Sequence, residues 1–183
     1  MPPLNIAVIL SSVRPKRLNE RVAKLVSDQI REKGHNVITI DPLHYKLPLL
    51  DTPIHWQNRN SAPEILRTIS DKLIAADAFV VVAAEYNHTI PPALSNLMSY
   101  FFPEYKFKPS GIVSYSAGSM GGVRAAMALR PFLAELGCVS IPKVLAIGPV
   151  GQKIDENGVA SDPKTVDFTD DFVDQLCYDY NFI

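Results

Sequence analysis

Cysteine is scarce. The chain of 183 residues has two, Cys138 and Cys177. Two cysteines cannot build a disulfide framework, and these form neither a CxxC pair nor a zinc spacing. The four histidines, His35, His44, His55 and His88, are scattered and make no HxxxH or HExxH pattern. An excess of either charge is also missing. Lys plus Arg number 18 against 19 for Asp plus Glu, a net charge of -1. A protein that binds nucleic acid irrespective of sequence needs surplus cations to displace counterions from phosphates, so that class is disfavoured. So is a carrier that docks through a strongly acidic surface. No apolar run approaches the ~20 residues of a membrane span. Met1-Pro-Pro-Leu-Asn5 lacks the basic and apolar segments of a secretion signal. These absences lead us to expect a cytoplasmic protein with no membrane span and no nucleic-acid partner.

What is present is ordinary globular composition, 47% hydrophobic and 20% charged. The length suits one domain spanning 1–183. No repeat or low-complexity segment interrupts it. Along the chain an apolar strand is followed, again and again, by a helix. Leu4–Leu10 reads as a strand buried on both faces. Leu18, Val22, Leu25, Val26 and Ile30 follow helical spacing, with Gly34 as the terminator. Asn36–Asp41 is the second strand, and residues 42–60 read as loop. Ser61-Ala-Pro-Glu64 suggests a capping box before a helix through Leu66, Ile69, Leu73 and Ala76. Phe79–Ala84 is the third strand, and Pro91-Pro92 opens a helix through Phe101. Gly111–Tyr115 is the fourth strand, and Ala126 to Leu136 a helix closed by Gly137, with Pro131 expected to kink it. Residues 139–147 hold the fifth strand, and Thr169 is read as the cap of a last helix. Strands alternating with helices imply an α/β fold with a parallel sheet covered on both faces. Such sheets bind ligands at the carboxyl ends of their strands.

Three loops follow from that rule. The first, Ser11-Ser-Val-Arg-Pro-Lys-Arg-Leu-Asn19, leaves a strand and enters a helix. Helix N-termini favour anions, and Ser12 and Arg14 are donors suited to a terminal phosphate. The loop has no glycine, so it lacks the room a Rossmann GxGxxG makes for a pyrophosphate. It is neither a Walker A loop nor a Cys-x5-Arg loop. A polar, solvated loop with a helix cap is the other reading of Ser12 and Arg14. Asp41 stands where a ribose-binding acid would, but Asp41-Pro42 reads more simply as a turn. The second loop, Glu85-Tyr-Asn-His88, offers a stacking face in Tyr86 and donor plus acceptor in Asn87. An ordinary strand-to-helix connection explains it equally. In the third, Ser116-Ala-Gly-Ser-Met-Gly-Gly122, the glycines let a planar ligand lie against backbone, or merely allow a tight turn. Ala117-Gly-Ser-Met-Gly121 is one residue from the G-x-S-x-G nucleophile elbow. That arrangement needs a histidine after the serine, and every histidine here precedes Ser119.

Together the three loops resemble the NADPH-dependent FMN reductase family, which includes flavodoxin-like NAD(P)H:quinone reductases and azoreductases. The matching blocks run in order: S-S-V-R-P-K-R-L-N, then A-E-Y-N-H with P-P-A-L-S-N, then Y-S-A-G-S-M-G-G-V-R-A. The resemblance implies a flavodoxin-like three-layer fold, five parallel strands in the order 2-1-3-4-5. It implies FMN as cofactor and NADPH or NADH as co-substrate. Ser12 and Arg14 would hold the FMN phosphate, with Leu18 and Asn19 beside it. Glu85, Tyr86, Asn87 and His88 would run along the isoalloxazine ring. Tyr115, Ser116, Gly118, Ser119, Gly121 and Gly122 would touch its pyrimidine side or cover one face. No side chain would be a nucleophile, and no metal would be needed. Two electrons would pass from NAD(P)H through FMN to a quinone, an azo dye or free flavin. The alternative is a flavin-binding electron carrier or redox-sensing interaction protein with little turnover of its own. The family is typically dimeric, so a homodimer or higher homo-oligomer is expected. The apolar run Leu97–Phe102 suits either that interface or the core.

Overall fold

The computed structural model describes residues 2–180. In chain order the elements are β1 (Asn5–Leu10), α1 (Asn19–Glu32), β2 (Asn36–Ile40), α2 (Glu64–Ala75), β3 (Ala78–Ala84) and α3 (Pro92–Ser99). Then come β4 (Pro109–Tyr115), α4 (Val123–Glu135), β5 (Val139–Ile147), α5 (Val150–Lys153) and α6 (Pro163–Tyr180). Short 3-10 turns lie at Ile54–Trp56 and Pro103–Tyr105. The strands form one parallel sheet in the order β2-β1-β3-β4-β5. This is the flavodoxin-like doubly wound order, with its switch point between β1 and β3.

Alternate residues of each central strand face opposite layers, which is why these strands are apolar throughout. Ile6, Val8, Leu10, Val80, Val82 and Val113 pack under α1 and α6. Ala7, Ile9, Phe79, Val81 and Ile112 pack under α2, α3 and α4. Val22, Val26 and Ile30 of α1 are fully buried, as their spacing requires. Gly34 takes a left-handed φ of +82° just past that helix.

The register decides where the site lies. Leu10 pairs with Val82, and Ala84 with Tyr115. The carboxyl ends of β1, β3 and β4 therefore fall side by side, and the three loops start together.

Several element ends differ from the sequence reading. Ser61 does not cap α2: its Oγ donates to the carbonyl of Asn58 at 3.1 Å, and Pro63 sits at the N-cap with no side-chain bond. Pro63 disfavours helical backbone in Ala62, so the helix starts too late for Ser61 to reach it. Nor does Thr169 cap α6. That helix begins at Pro163, and Asp162 accepts from the N–H of Thr165 at 3.0 Å. Thr169 is fully buried, its Oγ1 donating to the carbonyl of Thr165 at 2.8 Å. The third helix stops at Ser99, short of Phe101. The short helix α5 was not expected from the sequence. In the Leu97–Phe102 run, Leu97, Met98, Tyr100 and Phe101 are buried within the chain, which makes the run core.

Candidate functional site

Loop 1 leaves β1 at Ser11, whose Oγ accepts from the N–H of Ala84 at 2.9 Å and ties the ends of β1 and β3 together. Ser12 is 1% exposed. Its carbonyl accepts from Arg17 Nη1 at 2.7 Å and from Asn19 Nδ2 at 3.4 Å. Arg17 is itself clamped by Asp41, with Nη1–Oδ1 at 2.6 Å and Nη2–Oδ2 at 2.5 Å, and both side chains are almost wholly buried. The hydrogen bond to Asp41 is the main cause that raises the Arg17 pKa, so the guanidinium stays charged. Asp41 also accepts from the N–H of Leu43 at 2.9 Å, so it makes the expected turn and is fully occupied. Glu20 completes the group on the solvent side, at 2.6 Å from Arg17 Nη2.

This scaffold leaves the start of α1 open. Leu18 at its N-cap makes no side-chain cap bond. Among the described residues, the buried Asn19 Oδ1 has no hydrogen-bond partner. A buried acceptor in that condition costs about 1–3 kcal/mol unless something donates to it.

Loop 2 is a two-residue hairpin. Tyr86 and Thr89 exchange backbone bonds of 3.1 and 3.0 Å. Asn87 and His88 both take positive φ, 49° and 62°. This matches a type I′ turn, where glycine usually stands. Strain of this kind gathers at functional sites. Glu85 before the hairpin is turned away from the loop's open side. Its Oε2 accepts from the N–H of Arg124 at 3.0 Å, and its Oε1 lies 3.5 Å from Arg124 Nη1. Glu85 thus caps α4 from another loop, because Gly122 at the N-cap has no side chain to do so. Tyr86 turns toward loop 1. Its hydroxyl is 2.5 Å from Ser12 Oγ, and the Arg14 guanidinium lies 3.6 Å from its ring centroid.

Loop 3 is exposed from Ala117 to Met120 and buried at Gly121 and Gly122. Gly122 has φ +76°, and a Cβ there would stand 2.7 Å from the carbonyl of Tyr115. Only glycine fits. Ser114 Oγ donates to the carbonyl of Gly121 at 2.8 Å. Just past β5, Gly148 presses on the loop so closely that a Cβ would lie 2.6 Å from the nitrogen of Gly121. Burial holds the Tyr115 phenol well above its usual pKa, so it stays neutral.

The fold therefore brings Ser12, Arg14, Asn19, Tyr86 and the Tyr115–Gly122 turn to one edge. Asn87 and His88 are exposed at the hairpin tip. The Glu85 carboxylate is committed to Arg124. Arg17, Asp41, Arg124 and Gly148 support the site. Arg124 stood in a motif block without a role, and the Arg17–Asp41 pair joins residues 24 apart. Chemically the edge offers hydroxyls, a guanidinium, an open helix start and close-packed backbone. Among the described residues Ser119 has no hydrogen bond to a histidine. The set suits an anion at loop 1 and a planar polar group along loops 2 and 3.

Comparison with known proteins agrees. The family model for NADPH-dependent FMN reductase matches residues 4–152. A quinone reductase of Pseudomonas putida is 27% identical over 180 residues, covering 94% of this chain and 92% of that protein. An NAD(P)H-dependent FMN reductase of a Nectria species is 32% identical over 127 residues, covering 66% of this chain and 62% of that one. Among solved structures, the flavoenzyme NAD(P)H:(acceptor) oxidoreductase FerB of Paracoccus denitrificans superposes with a TM-score of 0.78. It is 22% identical and the match covers 96% of this chain and 98% of that one, so it speaks for the fold.

Proposed function

The chain belongs to the NADPH-dependent FMN reductase family, and from that premise we propose that it carries two electrons from NAD(P)H, through FMN, to a quinone, an azo dye or free flavin. The observation that carries the reading is the convergence of three loops at one sheet edge, cross-braced by Ser12–Tyr86 and Glu85–Arg124. When bound, FMN supplies the two-electron chemistry itself.

The protein's own groups bind and orient. Loop 1 and the open start of α1 would hold the phosphate, with Ser12 and Arg14 as the side-chain donors. These residues fit an FMN: the helix start is uncapped, and the unpartnered Asn19 Oδ1 is an acceptor for a ligand hydroxyl. Leu18 flanks that position. The backbone of the Tyr86–His88 hairpin and the Tyr115–Gly122 turn would border the ring, presenting donors and excluding water from one side. Glu85 would act by holding loop 2 on α4. Among the described residues no helix is long and apolar enough to cross a membrane. The reading includes a homodimer or larger homo-oligomer and a single FMN-binding domain over 1–183.

An absorption spectrum of the purified protein tests the reading, with the released chromophore identified by chromatography and NADPH oxidation followed with a quinone. The expected result is a flavin spectrum, FMN on release and quinone-dependent turnover. FAD on release would overturn the cofactor assignment. FMN without turnover would point to the electron carrier.

A further inference from the structure

Tyr86 is placed by its position in loop 2 but spends its side chain on loop 1. Its hydroxyl lies 2.5 Å from Ser12 Oγ, and the Arg14 guanidinium stands 3.6 Å above its ring. Ser12 is buried, whereas Arg14 is exposed. A long exposed side chain ordinarily samples many rotamers, and holding it in one orientation costs conformational entropy. The contact with the Tyr86 ring holds the guanidinium without using its N–H groups as hydrogen-bond donors, so they stay free to donate.

The hydroxyl pair follows the same logic. Ser12 and Tyr86 carry two hydroxyl hydrogens between them and use one in their mutual bond. Whichever is the donor, one hydrogen remains for a third group. Ser12, Arg14 and Tyr86 thus leave donors unspent beside the uncapped start of α1. All of them suit an anion and none needs an aromatic ring. Meanwhile one face of Tyr86 is covered by Arg14.

Resting on the FMN reading, we propose that Tyr86 is the residue that sorts FMN from riboflavin: it preorganises Ser12 and Arg14 for the phosphate and does not serve as a stacking platform for the flavin ring. It is a positioning residue that also supplies a hydroxyl at the phosphate end. Riboflavin has the same ring and ribityl chain without the phosphate, so the two flavins separate the two ends of the site.

The experiment titrates apoprotein with FMN and with riboflavin, following flavin fluorescence, for wild type, Tyr86→Phe and Tyr86→Leu. Tyr86→Phe keeps the stack and loses the hydroxyl, and Tyr86→Leu loses both. FMN affinity should fall about tenfold in the first, on the scale of one hydrogen bond to a charged group, and further in the second. Riboflavin affinity should stay within about twofold, the size of effects that touch no direct contact. In the FMN-loaded Tyr86→Phe protein the phosphorus NMR signal of FMN should move while the visible flavin band keeps its position. Equal losses for both flavins, or a shifted visible band with an unmoved phosphorus signal, would make Tyr86 a ring contact and overturn the proposal. Unchanged affinities in both variants would overturn it too. A wild-type protein that bound no FMN would overturn the functional reading, and this proposal with it.

Discussion

At the scale of single residues, side chains of one type do different work according to where the fold puts them. Arg14 and Arg17 are three apart, yet the Arg17 side chain is 3% exposed and locked to Asp41, while Arg14 lies on the surface over Tyr86. One holds the backbone of loop 1 and the other is free to meet a ligand. The sequence reading singled out Arg14 because its loop position suits a ligand donor. It left out Arg17, because a buried ion pair depends on a residue from another loop, Asp41 just past β2. Ser119 shows the opposite case, a motif one residue from a nucleophile elbow with no histidine after it in the sequence. It sits in an exposed turn shaped by glycines, without a histidine bonded to it. Ser119→Ala should therefore keep most of the reductase activity. Quinone-dependent NADPH oxidation checks this. Full loss of turnover with FMN still bound would show a chemical role for the hydroxyl.

At the scale of elements, contacts between a helix and its strand set what each position tolerates. Gly111 of β4 lies against the ring of Phe172 in α6, and an added Cβ would overlap the ring's Cζ. Phe172 is fully buried and has nowhere to retreat. Gly111→Ala should lower stability by about 1–3 kcal/mol, the usual cost of overpacking. Urea melts measure it, and an unchanged midpoint would mean that α6 shifts freely. The start of α6 makes a second case. Hydrogen bonds from Lys153 and Thr165 bring the Asp162 pKa down from 3.8 to about 2. A carboxyl depressed in the folded state binds protons more readily when unfolded, so it stabilises the fold when ionised. Its contribution is complete above about pH 4, and it fades as the pH falls through about 2. Asp162→Asn should lower the Tm at pH 7, with the difference from wild type shrinking as the pH drops through that window. A difference that held constant to pH 2 would mean that Asp162 acts by shape alone. The sequence reading placed the start of this helix at Thr169, because a buried threonine and a capping one look alike in a string of letters.

At the scale of the whole molecule, the parallel register places all three loops on one edge, with loop 3 backed by Gly148 of the following segment. A planar group lying along them has protein on one side. Nicotinamide and acceptor both need the open side, where reacting atoms must approach to about 3–3.5 Å. On the proposed reading both could not occupy it together, so the nicotinamide product should leave before the acceptor enters. Steady-state rates at several fixed quinone concentrations should give parallel double-reciprocal lines, the mark of ping-pong order. Intersecting lines would require a second acceptor site.

What the sequence determined by itself were the strands, the main helices and the loops at the carboxyl ends of the strands. Val80, Val81 and Val82 admit little but a strand buried on both faces, and Val22, Val26 and Ile30 little but a helix with one apolar stripe. These signals are local and periodic, so they survive without knowledge of any neighbour. The loops were legible for a related reason, since a parallel sheet puts its ligands at strand carboxyl ends. Only the tertiary structure decided how the loop side chains divide their work. It sent Glu85 to Arg124, Tyr86 to Ser12 and Arg14, and Asp41 to Arg17. Each of these pairs joins residues at least 24 apart in the chain, the spacing of Arg17 and Asp41. Charge and hydrogen bonding act over a few ångströms of space, and separation along the chain does not encode that distance.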